Sequence, residues 1–147
     1  MIEIRQYVPE DYMRIHRRAF DLATFMGFID PHSVARNLMK GPAFTGVYDG
    51  EVVACGGIIP LWKHVGEAWV ITSELVERFP FTFAKTVRRN LRLLIDTMGL
   101  DRVQTVIHAD HEVSIKWAKR MGFVDEGKMR KYINGHDYYR YAWIREE

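Results

Sequence analysis

The sequence predicts an α/β fold, a mixed sheet with helices on both faces, in the order β-α-α-β-β-β-α-β-α-β-β. Three features lead there. Asp49-Gly50 and Asn134-Gly135 each sit between two β-rich runs, the pattern of two-residue hairpins. Residues 81–98 place Phe83, Ala84, Val87, Leu91, Leu94, Ile95 and Met98 at helical spacing, with Lys85, Arg88, Arg89 and Arg92 on the opposite face. Immediately afterwards, Arg102 to His108 is a continuous β-rich run, as a buried central strand requires. A long helix between strands, inside a meander, points to a mixed sheet.

The other elements follow in chain order. Ile2, Ile4 and Gln6 alternate with Glu3, Arg5 and Tyr7, which predicts a short first strand. Pro9 opens a helix running to about Phe20, with Glu10 and Asp11 in the first turn, where the helix dipole favours anions. Asp30-Pro31 marks a second start, an N-cap carboxylate followed by proline at the first helical position. Val34, Ala35, Leu38 and Met39 form the apolar face of that helix, and Gly41-Pro42 stops it. Strands are expected over Ala43 to Tyr48 and Glu51 to Ile59, then a loop around Lys63 to Gly66 and a fourth strand from Ala68 to Thr72. Gly99 closes the long helix. Asp110 is the expected cap of a last helix to Met121, ended by Gly122, and Phe123 to Arg145 reads as two strands around Asn134-Gly135.

A chain of 147 residues fits one domain, residues 1–147, with one core and no need of disulfides or metals. The net charge of +2 is too small to indicate nucleic acid as a partner. Cys55 is the only cysteine, which excludes an internal disulfide, argues against a cysteine-based zinc site and fits a reducing compartment such as the cytoplasm. No apolar run reaches about 18 residues, so no membrane span is expected. Glu3 and Arg5 interrupt the N-terminus, so no signal peptide is expected either.

The element order, with the stretch His111-Glu112-Val113-Ser114-Ile115-Lys116-Trp117-Ala118-Lys119-Arg120-Met121-Gly122-Phe123, resembles the GNAT superfamily of N-acetyltransferases over essentially the whole chain. GNAT enzymes often end their last helix in this way, with Gly-Phe opening a strand. Trp69-Val70-Ile71-Thr72-Ser73, then Arg78-Phe79-Pro80 before an arginine-rich helix, is similar to a group of phage and prophage GNAT-like proteins, some described as internal virion proteins of short-tailed phages. The resemblance implies acetyl-CoA as cofactor and an amine as acceptor, in the cytoplasm of a cell or, if phage-encoded, of its host or in a virion.

The resemblance also implies where the chemistry would sit. In GNAT enzymes the CoA pyrophosphate lies between the fourth strand and the long helix, in the pattern Arg/Gln-x-x-Gly-x-Gly/Ala, where glycines let backbone N–H groups close on the phosphates. Here the matching stretch is Arg78-Phe79-Pro80-Phe81-Thr82-Phe83. Arg78 fits, Phe81 and Phe83 stand at the glycine and small-residue positions, and Pro80 lacks an N–H. The phenylalanines either fill the cradle as core or turn away and leave N–H groups facing it. Lys85, Arg88, Arg89 and Arg92 make a basic stripe that reads either as a landing surface for CoA phosphates or another polyanion, or as a solvated helix face.

Oxyanion donors in this family are backbone N–H groups near Val70, Ile71 and Thr72, where the fourth and fifth strands part. Glu67 and His108 are the candidate proton acceptors, against bland readings as a rim carboxylate and a strand-end histidine. Many GNAT enzymes carry a tyrosine, seven residues after an asparagine, as acid for the leaving thiolate. The matching positions are Ala118, which cannot donate a proton, and His111, which could take over the asparagine's contact with CoA. Tyr132, Tyr138, Tyr139 and Tyr141 crowd the C-terminus as alternatives, or simply as packing. His108, Asp110 and His111 could offer two metal ligands, but no further ligand is apparent and no metal is expected.

Besides binding of nucleic acid or another polyanion by the Lys85–Arg92 stripe, which a steep salt dependence would support, two readings of function stand at this point. One is a divergent N-acyltransferase using acetyl-CoA. The other is a catalytically silent GNAT fold acting as a virion or assembly protein, with Trp62, Phe79 or Trp143 serving protein contacts.

Overall fold

In the computed structural model, which describes residues 2–15 and 31–146, the strands are β1 (Glu3–Gln6), β2 (Ala43–Tyr48), β3 (Glu51–Trp62), β4 (Val65–Thr72), β5 (Arg102–His108), β6 (Val124–Ile133) and β7 (His136–Ile144). The helices are α1 (Pro9–Arg14), α2 (Pro31–Asn37), α3 (Pro80–Met98) and α4 (Glu112–Arg120), with 3-10 turns at Leu38–Lys40 and Glu74–Arg78. The strands form one sheet in the order β1-β2-β3-β4-β5-β7-β6. Every neighbouring pair is antiparallel except β4–β5, which α3 joins as a crossover.

Local chemistry explains most of these boundaries. Asp49 (φ 50°) and Gly50 (φ 78°), like Asn134 (φ 50°) and Gly135 (φ 78°), take the left-handed pair of conformations that a twisted two-residue hairpin needs. The third hairpin differs from expectation. β3 runs on to Trp62 and β4 begins at Val65, so the expected loop shrinks to Lys63-His64. Contacts distant in sequence hold it there. The His64 carbonyl accepts the N–H groups of Asp101 (2.8 Å) and Arg102 (3.2 Å), and its Nδ1 lies 2.9 Å from the Gly99 carbonyl.

Strand alternation divides the apolar side chains between two layers. Trp69 and Ile71 pack with Tyr12, Ile15, Val34, Ala35 and Leu38 beneath α1 and α2. Leu94, Ile95 and Ala118 of α3 and α4 pack on Val103, Ile107 and Tyr141 on the other face. Met39, expected on the apolar face of α2, is 48% exposed. Asp11 pins β1, α1 and β2 together. Its carboxylate, fully buried, accepts two bonds from Arg5 (2.7 and 2.6 Å), one from the Val8 N–H (3.0 Å) and one from the Thr45 hydroxyl (2.7 Å).

The first helix was expected to reach Phe20. It ends at Arg14, with Ile15 extended (φ −73°, ψ 137°), while residues 16–20 and the proposed cap Asp30 lie outside the described residues. The N-cap of α4 is His111 rather than Asp110, whose N–H donates instead to His108 Nδ1 at 3.1 Å.

Candidate active site

β4 and β5 stay paired for three rungs only, Val65–Arg102, Gly66–Val103 and Glu67–Gln104. The Thr105 hydroxyl then donates to the Ala68 carbonyl at 2.9 Å. Beyond that bond β4 follows β3 to Thr72 while β5 follows β7 to His108, and the two strands part. Ser73 directs its N–H to Val53 of β3 (2.9 Å), so along this regular strand Val70 and Thr72, like the Ala68 carbonyl, turn their backbone groups toward β5. Ile71 faces the β3 ladder and its side chain is wholly buried. Of the three candidate oxyanion donors, Val70 and Thr72 therefore address the opening.

A cavity of about 810 Å³ occupies this fork, lined among others by Glu67, Val70, Thr72, Phe83, His108 and His111. Its size suits a small-molecule or cofactor site. At its rim α3 begins. Phe81 is 89% exposed and points away, while Phe83 is 5% exposed and packs on Val53, Ala54 and Val76 of the sheet side and on Trp117 of α4, ring centroids 4.9 Å apart. Pro80 occupies the first helical position and no side chain caps the helix. The first helical bond runs from the Phe83 N–H to the Phe79 carbonyl (2.8 Å), so the N–H groups of Phe81 and Thr82 belong to the orphan first turn. Arg78 and Lys85 are exposed on either side, with the Arg78 guanidinium 6.0 Å from the Phe79 ring centroid. The cradle is thus not plugged by Phe81, and the backbone there fits a phosphate group.

Glu67 sits on the last paired rung, beneath the fork. Its Oε1 accepts from Gln104 Nε2 (3.1 Å) and Arg140 Nη1 (3.2 Å), and Gln104 is held in turn by Arg102, which forks onto Glu126 at 3.0 and 2.6 Å. Burial raises the Glu67 pKa above its ordinary value, and the bonds from Gln104 and Arg140 offset this only in part.

His108 is buried at the far end of β5, its ring 5.0 Å from His136 and 5.2 Å from Tyr138. Its Nδ1 accepts the Asp110 N–H at 3.1 Å. Four residues along a strand separate it from the rung of Glu67 by about 13 Å. The two candidate acceptors do not form a pair.

His111 caps the start of α4 on the cavity wall, its Nε2 3.3 Å from the Ser114 hydroxyl. Ala118 packs in the core with Ile107 and Phe123 and supplies no acid. Tyr138 and Tyr141 are buried, and Tyr132, 45% exposed, is the tyrosine of this group on the cavity wall. Of the exposed aromatics expected for protein contacts, Trp62 is exposed (68%), but Phe79 packs on Tyr48 at 4.7 Å and Trp143 lies under Arg92 and Arg145. Three contributors escaped sequence reasoning: Gln104, Arg140 and Trp117. Strand parity would have placed Gln104 and Arg140 on one face, but only the register of β5 on β7 sets them beside Glu67.

No family model and no curated protein matches the chain in sequence. Solved structures do match its architecture. Ard1 from Thermoplasma volcanium superposes with a TM-score of 0.79 at 14% identity, over 99% of each chain. An N-acetyltransferase from Staphylococcus aureus Mu50 gives 0.74 at 19%, over 98% of each chain. Ribosomal-protein-S5-alanine acetyltransferase from Vibrio fischeri gives 0.73 at 18%, over 99% of this chain and 94% of the other. The fold is that of the GNAT acetyltransferases, shared at sequence identities that speak for architecture alone.

Proposed function

We propose that this protein is an N-acyltransferase that takes an acyl group from acetyl-CoA and passes it to an amine. The observation that carries the reading is the orientation of two side chains. Phe81 turns to solvent and Phe83 to the sheet, which leaves the first turn of α3 open beside the fork of β4 and β5.

Acetyl-CoA would supply an activated thioester. Arg78, Lys85 and the N–H groups of Phe81 and Thr82 are the groups that would hold its phosphates, with His111 on the opposite wall. The amine arrives as an ammonium ion. Glu67, with its proton affinity raised, accepts that proton more readily than an ordinary carboxylate. The freed amine would then be placed to attack the thioester carbonyl, and Val70 and Thr72, whose backbone groups face the opening, would supply N–H groups to its oxygen. His108 borders the same cavity with its Nδ1 engaged by the Asp110 N–H. Because Ala118 offers no proton, the departing thiolate would take, directly or through water, the proton that the attacking nitrogen sheds as the amide forms.

Calorimetric titration with acetyl-CoA, and with CoA as companion, tests the reading. Saturable binding in the micromolar range is expected, followed by acetyl transfer to some member of an amine panel. No heat and no thermal shift at millimolar ligand would overturn it.

A further inference from the structure

We propose that the groove between the middle of α3 and the C-terminal end of α4 is a second, separate site that binds phosphate groups. Arg88 and Arg92 from α3 and Arg120 from α4 border a cavity of about 310 Å³, floored by Leu91, Ile95 and Phe123 and walled by Trp143. The groove does not depend on the acyl-transfer reading. Arg92 lies ten residues beyond Thr82, about 15 Å along the helix from the cradle at the start of α3.

Arg36, Arg78, Arg89 and Arg130 also lack an ion pair among the described residues, and what distinguishes these three arginines is that they converge on one groove. Arg5, Arg102, Arg140 and Arg145 each face a carboxylate within 4 Å: Asp11, Glu126, Glu67 and Asp96 respectively. Among the described residues, no ion pair engages Arg88, Arg92 or Arg120. Arg88 makes one long bond, 3.4 Å, to the Arg120 carbonyl, which aims its guanidinium across the groove and leaves its other donors unused. Arg92 lies over the Trp143 ring at 5.9 Å. Arg145 lies on the same ring at 5.5 Å but is already engaged by Asp96 and Asp101. The indole is therefore stacked with guanidinium groups, and the donors left over point to an anion rather than to a stacked base. Gly122, with φ 92°, ends α4 so close to that indole that an added Cβ would meet Trp143 Cδ1 at 3.5 Å.

Three guanidinium groups around one small cavity repel one another, and among the described residues no acidic side chain lines the groove. A phosphate relieves that repulsion, because its oxygens accept paired N–H donors from each fork. The surroundings steer in the same sense. α3 carries Lys85, Arg88, Arg89 and Arg92 against Asp96, and α4 carries Lys116, Lys119 and Arg120 against Glu112, an excess larger than the +2 of the whole chain. An anion is drawn to this face. The apolar floor and small volume fit a compact ligand bearing one or two phosphates.

The probe is inorganic pyrophosphate, titrated into the whole protein and followed by tryptophan fluorescence and by thermal shift. Saturable binding that weakens with added salt is expected, with a fluorescence change that disappears in Trp143→Phe while the thermal shift remains. The double variant Arg92→Ala/Arg120→Ala should lose about tenfold or more in affinity, whereas Arg78→Ala, at the cradle, should leave it unchanged within about twofold. Acetyl-CoA binding should be unchanged in the double variant. A short single-stranded oligonucleotide added as competitor distinguishes the source: displacement of pyrophosphate identifies the phosphates of a nucleic-acid strand, and no displacement identifies a free ligand. No saturable binding of pyrophosphate, a Trp143-dependent fluorescence change that survives the double variant, or a loss of acetyl-CoA affinity in step with it would each overturn the proposal. A melting curve of each variant separates lost binding from lost folding.

Discussion

Asp11, in the first turn of α1, is buried and Glu67, at the fork of β4 and β5, is half-buried, and their proton affinities move in opposite directions. Burial pushes both upward. At Asp11 the two bonds from Arg5, the Val8 N–H and the Thr45 hydroxyl outweigh it, and the carboxyl is held below its ordinary value. At Glu67 both donors, Gln104 and Arg140, fall on a single oxygen, and burial prevails. The difference separates a carboxylate that holds the chain together from the one proposed to accept a proton. More donors converge on Asp11 than on Glu67.

The largest effect expected from this contrast is on rate. Glu67→Gln keeps the shape and the bond from Gln104 but removes the base, so kcat/KM for acetyl transfer should fall about 100- to 10,000-fold. The melting temperature should stay near that of the parent. A variant of nearly full activity would remove Glu67 from the chemistry.

Asp11→Ala should do the reverse. It strands the buried Thr45 hydroxyl and the Val8 N–H and should cost about 3 kcal/mol in chemical denaturation, with little change in the affinity for acetyl-CoA. The two acids also oppose each other in pH. Asp11, lowered in the fold, contributes stability that is present above its unfolded value of 3.8 and is lost as pH falls through the folded one. Glu67, raised in the fold, contributes stability below its unfolded value of 4.5 that is lost as pH rises through the folded one, and the rate should rise over that same interval. Denaturation midpoints of the parent, Asp11→Asn and Glu67→Gln across this range check both signs.

The smallest effect is expected for Arg140→Ala. Glu67 then keeps Gln104 alone, and the rising limb of the rate profile should move to higher pH. The pair is partly exposed, so stability should change by less than about 1 kcal/mol. A limb that does not move would show that Arg140 does not tune Glu67.

Much of the fold was legible wherever one residue dictates its own backbone. The Asp49-Gly50 and Asn134-Gly135 turns, the positive φ of Gly99 and Gly122, and the β-rich run Arg102–His108 all appear where the sequence puts them. The Lys63-His64 turn was not legible, because it carries no glycine and is held by Gly99, Asp101 and Arg102 from another part of the chain. The site was legible as a list of residues but not as an arrangement. Nothing local to Phe81 and Phe83 says which faces water, and nothing local to His108 says that Asp110 claims its Nδ1.

The sequence by itself determined the element order, the Asp49-Gly50 and Asn134-Gly135 turns and most of the apolar faces of the helices, because these depend on backbone dihedrals and on periodicities of a few residues. Tertiary structure alone decided that Thr105 closes the fork at Ala68, that Glu67 meets Gln104 and Arg140, and that Arg88, Arg92 and Arg120 share a groove. Those partners are tens of residues apart, and their interactions depend on distances of a few ångströms that only packed strands and helices can set.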